Sequence, residues 1–222
     1  MAQLRPKQKQ MCDKDDIIRS VQNCLDGMLK KTEGASPDQL ELPSWWTRQT
    51  MIALCGWGLR KGFHVCASKM KDEADMIELA QKCGGIIQGE WLNDFTCLDH
   101  DDDGWLKRIP LVAESEWNDK KDEIEKDFKR LLVARADVRV MVFNGNRYRT
   151  DESRSSQGKT SIESGGLEKF TKYINECEHT QAGDTYLLAS RLHEGEGGIS
   201  VNHRFDFYRF DAPSTTWSRP VR

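Results

Sequence analysis

Asp94, Glu114 and Glu116 are the residues whose types and spacing could do chemistry. Glu114 and Glu116 stand two apart, so on a strand they share a face with Val112, while Ser115 and Trp117 point the other way. Asp94 shares a face with Leu92, Thr96 and Leu98 in the same manner, and Glu90 has the same parity. Both faces of both segments are largely apolar, as in a sheet covered on two sides. A carboxylate on such a surface is costly unless it is paired or bound to metal. An oxygen-only donor set suits a hard divalent cation, Mg²⁺ first, with Mn²⁺ able to substitute. Such an ion activates water and stabilises charge on a phosphoryl group.

A β-hairpin would bring these acids together. Residues 91–100 and 105–117 read as strands, joined by Asp101-Asp-Asp-Gly104, whose Asp-Gly step is a strong turn signal. A turn centred on 102–103 sets Asp94 across from residue 111, and one centred on Gly104 sets it across from Glu114. A bulge shifts either by one or two. In each case the start of the first strand meets the end of the second, about 5 Å per cross-strand step. Glu90 would stand about 13 Å from Asp94 on a regular strand, so it joins only from a preceding turn or helix end.

The elements around the hairpin follow from period and punctuation. Ile17, Ile18, Val21, Leu25, Met28 and Leu29 predict an amphipathic helix over 14–31, and residues 32–42 read as a loop. Pro43-Ser44 opens a helix to about 61, residues 62–66 a short strand, and 72–83 a helix stopped by Gly84-Gly85. Residues 119–135 read as a helix with Asn118 or Asp119 as its N-cap, and 138–143 as a strand. A helix from Leu167 to Cys177 and strands at 185–192 and 201–210 follow, then a loose tail from 215. This is an α/β chain with a mixed central sheet flanked by helices. We divide it into an N-terminal helical extension, 1–34, and a domain, 35–222.

Glu90-Trp-Leu-Asn-Asp94 and Leu111-Val-Ala-Glu-Ser-Glu-Trp117, followed by a helix and a strand, resemble the PD-(D/E)XK nuclease superfamily. The likeness spans about residues 44–143. Asn93 stands where the family has Pro, and Glu116 where it usually has Lys. An acid-x-acid form occurs in restriction endonucleases of the BamHI type. The resemblance implies a restriction-endonuclease-like fold and Mg²⁺-dependent endonuclease chemistry on DNA. Asp94 and Glu114 would then hold the metal with Glu116, and Glu90 as a further candidate, while Glu116 orients or deprotonates water. A carboxylate cannot stabilise a pentavalent phosphate as Lys does, so Lys107, Lys120 or a second metal would supply that charge.

Two rivals stand beside this reading. One is a non-catalytic protein of the same fold that binds nucleic acid or a protein partner. The other is an unrelated α/β interaction protein, in which the acids are surface charge on an edge strand.

Arg147, Arg149, Arg154 and Lys159, in the polar stretch 144–166, could touch nucleic-acid phosphates or simply be solvated. Gly158-Lys-Thr160 is not a phosphate-binding loop, since Ser153 stands where the first glycine belongs. His64, Cys66, Cys97 and His100 fit no zinc-module spacing. Of the 222 residues 37% are hydrophobic and 31% charged, and no apolar run suits a membrane span. Seven cysteines without a CxxC pair, and a polar N-terminus, predict a reducing, cytoplasmic setting. A net charge of −3 argues against non-specific coating of nucleic acid but allows a local basic patch. DNA is the expected partner, and a homodimer is compatible with the sequence.

Overall fold

Side-chain period and capping set the first helix. In the computed structural model, which describes residues 12–118, 120–145, 162, 166–194 and 202–220, the apolar stripe becomes α1 (Lys14–Lys31). The Asp13 carboxylate accepts from the Asp16 amide, and acids in the first turn and lysines in the last complement the helix dipole. The expected loop at 32–42 instead holds a 3-10 turn (Thr32–Gly34) and a short helix α2 (Pro37–Glu41). Ser36 and Gln39 form a capping box and Pro37 fits the first turn, which makes five residues enough.

The chain continues through α3 (Pro43–Arg60), β1 (His64–Ala67), α4 (Ala74–Cys83), β2 (Ile87–Gln88), β3 (Phe95–His100) and β4 (Leu106–Glu116). Then come α5 (Lys121–Val133), β5 (Val138–Asn144), α6 (Gly166–Glu176), β6 (Thr185–Glu194) and β7 (Asn202–Asp211). The strands form one mixed sheet in the order β2-β1-β3-β4-β5-β6-β7. β3 runs antiparallel to β1 and β4, β4, β5 and β6 are parallel, and β7 returns antiparallel.

Strand alternation splits the core in two. Leu111, Ala113, Val140, Leu187 and Phe205 face α1, α3 and α4. Val112, Met141, Leu188 and Phe210 face α5 and α6. The helix expected as an N-terminal extension is packed into the first of these cores, with Ile17, Val21 and Leu25 fully buried.

Three further expectations need correction. The first hairpin strand begins at Phe95, not Trp91, because Trp91 and Leu92 stay 50% and 71% exposed and have no layer to pack on. Lys120 precedes α5 without a side-chain capping bond, and the Asn118 amide instead donates to Glu116. The tail is not loose at Trp217, whose indole packs on Phe210 and donates to Thr171 Oγ1 at 2.8 Å.

Candidate functional site

Hairpin register decides which acids meet. The turn closes with Asp101 N donating to Trp105 O, and Gly104 takes the left-handed φ of 85° that this geometry requires. His100 pairs with Leu106 and Asp99 with Arg108. Two irregularities then shift the register so that Phe95 pairs with Ala113. One further step puts Asp94 across from Glu114, the geometry expected of a Gly104-centred turn but reached through bulges.

Asp94 accepts a hydrogen bond at Oδ2 from the Ser115 amide at 3.0 Å, and its carbonyl accepts from Ser68 N. Glu114 is fully buried on the α5 side of the sheet. Asn93 Nδ2 donates to its Oε1 at 2.8 Å, while its Oε2 accepts no hydrogen bond and stands 3.7 Å from Arg130 Nη1. Glu116 is half-buried and accepts from the Asn118 amide at 2.7 Å.

A fourth carboxylate, Asp127, comes from α5. Arg130 Nη1 lies 3.1 Å from it, and its side chain is within hydrogen-bonding reach of Glu116. The sequence carried a signal for it. Asp127 sits on the stripe Ile124, Phe128, Leu131 that turns α5 toward the sheet, so its carboxylate could not be on the solvent face. Asn93, read as a departure from the family pattern, is the donor that holds Glu114.

Burial and mutual repulsion raise these acids together. Desolvation pushes Glu114 up to about 7, against a lowering hydrogen bond from Asn93, and the charges of Asp94 and Asp127 add to it. Desolvation likewise lifts Asp127 to about 6, with Arg130 opposing and Glu116 and Asp94 adding. Asp94 is raised by burial, offset by the Ser115 amide, with a contribution from Glu90.

Asp94, Glu116, Asp127 and Arg130 line one side of a cleft of about 770 Å³, with Trp45 from α3 and Lys69 among the other lining residues. Lys69 follows β1 and holds a left-handed φ of 58°, unusual for a side-chain-bearing residue. It has no ion-pair partner among the described residues. Arg48, also in the lining, is engaged by Glu73 through two bonds of 3.0 and 2.8 Å.

The structure therefore gathers Asp94, Glu114 and Glu116 at one end of the sheet. Glu90 is exposed and outside the cleft lining, and reaches the site only through its charge. Among the described residues, no three His, Cys, Asp or Glu side chains form a ready ligand set, because each of these acids is turned toward a donor or cation of its own. The donor chemistry still suits a hard cation, since all donors are oxygens and Glu114 Oε2 is buried without a hydrogen-bond donor. Lys107 does not serve the site. It pairs with Asp101 at 2.9 Å, at the other end of the hairpin. Lys120 is exposed and outside the lining. Arg147, Arg149, Arg154 and Lys159 lie outside the described residues.

Comparison with protein-family models, with curated proteins and with solved structures finds no match.

Proposed function

We propose that this chain is a metal-dependent endonuclease of restriction-endonuclease-like fold, hydrolysing phosphodiester bonds in DNA. The observation that carries this reading is a group of four carboxylates around Arg130, in which Glu114 and Asp127 are buried, Asp94 and Glu116 half-buried, and all but Glu114 line a cleft that also holds Lys69. Such a group is under electrostatic load that a divalent cation relieves. The element order α3, β1, hairpin, α5, β5, with β4 and β5 parallel, is compatible with the fold that the resemblance implies.

Asp94 and Glu114 would hold Mg²⁺ or Mn²⁺, which when bound lowers the pKa of water and neutralises phosphoryl charge. Glu116, reachable from the cleft, orients water or accepts its proton. Arg130 keeps Asp127 and Glu114 from repelling each other without restraint. Lys69 takes the place of the charge that Glu116 lacks. Its ammonium is free to meet a phosphate oxygen in the same cleft.

One observation favours the non-catalytic reading, a nuclease-fold protein that binds nucleic acid or a protein partner. Asp94 and Glu116 are each already engaged by a backbone amide. Incubation with supercoiled plasmid and labelled single- and double-stranded oligonucleotides separates the two. We expect cleavage with Mg²⁺ or Mn²⁺ and none with EDTA. Retention of DNA without cleavage in either metal would favour the non-catalytic protein, and cleavage of RNA alone would move the substrate.

Lys69 provides a second test. Glycine at 69 relieves a left-handed backbone that costs an L-residue about 1 kcal/mol, so Lys69→Gly is expected to raise the melting temperature. It should nonetheless slow single-turnover cleavage by about 10²-fold or more, the usual effect of removing one charge-stabilising donor. Lys69→Arg should retain part of the rate. Equal rates for wild type and Lys69→Gly would remove Lys69 from the site.

A further inference from the structure

A buried cation on the other face of the sheet has no use in the site above. Arg191 of β6 is 5% exposed, yet its Nε and Nη1 have no hydrogen-bond partner. Its guanidinium carbon lies 3.9 Å from the ring centre of Trp46 and 5.5 Å from that of Trp117. The two indoles lie 5.3 Å apart, tilted by 31°, so the three groups form a triangle in which Arg191 stacks on Trp46 with Trp117 beside the pair. Burial lowers the Arg191 pKa to about 10, and among the described residues no acid offsets the loss of water. Stacking on tryptophan recovers part of that cost but satisfies no N–H. What remains is a charged, planar fork of donors whose geometry matches a tetrahedral oxyanion.

Its place in the sheet links it to the carboxylates. Glu116 pairs with Phe143, the next residue, Asn144, pairs with Arg191, and all three strands are parallel. Arg191 thus sits at the same end of the sheet as Glu116, two strands along. The two backbones there are about 10 Å apart, and the two side chains leave opposite faces of the sheet. The stack also touches the cleft wall by two routes. Trp45, which lines the cleft, packs edge-on against Trp46 at 4.9 Å. Trp117 Nε1 donates at 2.7 Å to the hydroxyl of Ser115, another lining residue.

We propose that Arg191, packed against Trp46 and Trp117, is a phosphate-binding subsite for a backbone phosphate of the same nucleic acid whose phosphodiester the carboxylate cleft receives. As a nucleic-acid subsite it rests on the function proposed above; as an oxyanion site it does not. The competing role is a purely structural stack that fastens α3 to β6.

The two roles predict opposite signs for Arg191→Met. Methionine keeps the apolar contact with the indoles and removes a charge whose Nε and Nη1 have no hydrogen-bond partner. An anion site therefore predicts that the phosphate-free variant melts at or above the wild-type temperature, whereas a structural stack predicts a clear fall. Inorganic phosphate, titrated against chloride at constant ionic strength, should raise the wild-type melting temperature and leave Arg191→Met unmoved. Arg191→Lys, which keeps the charge but not the fork, should show a reduced shift. Glu114→Gln should keep the full phosphate shift.

Affinity for a short oligodeoxynucleotide in Ca²⁺, read by fluorescence anisotropy, should fall about tenfold in Arg191→Met. Equal phosphate shifts in wild type and both variants, or a fall in phosphate-free stability, would overturn the subsite. A phosphate shift that depends on Arg191, with unchanged oligonucleotide affinity, would overturn the nucleic-acid assignment and leave free phosphate as the ligand. An Arg191-dependent shift in a protein that cleaves nothing would uphold the oxyanion site while the nuclease reading fails.

Discussion

Glu114→Gln is expected to abolish metal-dependent cleavage and to leave the metal-free protein at least as stable as wild type at pH 8. Glutamine keeps the volume of a fully buried side chain and still offers an oxygen to Asn93 Nδ2. What it removes is negative charge at Oε2, which lies near Arg130 and accepts no hydrogen bond. Arg130 keeps its closer partner Asp127 at 3.1 Å, so the exchange does not strand a cation. Removing a charge held against desolvation and two acidic neighbours is favourable to the fold wherever that charge would be present. The same removal takes away the most buried of the oxygens that would hold the ion. A loss of at least about 10³-fold is expected, equivalent to about 4 kcal/mol of barrier. Single-turnover cleavage and urea melts of the two proteins, side by side, measure both quantities. Cleavage within tenfold of wild type would show that the site is elsewhere, and an unfolded variant would show that Glu114 is a structural anchor.

The second large effect is on stability. In EDTA the protein should lose stability as pH rises from 5 to 8, and Mg²⁺ or Mn²⁺ should restore it. Glu114 has a folded pKa raised from 4.5 to about 7, and Asp127 from 3.8 to about 6. Between those limits the native state keeps a proton that the unfolded chain has released. The stabilisation is complete below the unfolded value and is lost as pH climbs through the folded one. For Glu114 the loss is on the order of 3 kcal/mol between about pH 4.5 and 7. Asp127 acts in the same direction between about pH 3.8 and 6. Glu73, Glu78 and Asp101, whose partners Arg48, Lys82 and Lys107 hold them below the ordinary range, act in the opposite direction and only in more acid solution. An ion that binds only the folded carboxylates at a hundred times its dissociation constant adds about 2.7 kcal/mol. It competes with the protons, so its effect should be largest at pH 8 and vanish near pH 5. Urea denaturation at pH 5, 6, 7 and 8, in EDTA and in Mg²⁺, gives the slope directly. A metal-free stability that is flat or rising from pH 5 to 7 would contradict the burial of these acids. A slope that Mg²⁺ leaves unchanged would mean that they hold no ion.

Local signals determined the elements of this chain. The stripe from Ile17 to Leu29, with Asp13 ahead of it, specifies a helix whichever surface it packs on. The Asp-Gly turn between two apolar runs specifies the hairpin, and the parity of Asp94, Glu114 and Glu116 places their side chains on one face. These are relations between near neighbours, and the backbone periods of helix and strand are enough to read them. Register was not of this kind. The two irregularities between Cys97 and His100 depend on how β3 fits between β1 and β4, and they are what sets Asp94 opposite Glu114. The fourth acid was half-legible. Asp127 stood on the buried stripe of its helix, but only the packing of α5 on β4 brings it beside Glu116 and gives Arg130 two acids to serve. Lys69 and Arg191 carried no sequence signal at all. Lys69 enters the cleft because a left-handed residue turns the chain after β1, and Arg191 meets Trp46 and Trp117 because α3 packs on the face of the sheet to which this β6 side chain points. Contacts between residues so far apart in the chain exist only once the two faces of the sheet are covered. Burial, and with it the raised pKa of Glu114 and the unsatisfied Nε and Nη1 of Arg191, is a property of that packing and not of any segment alone.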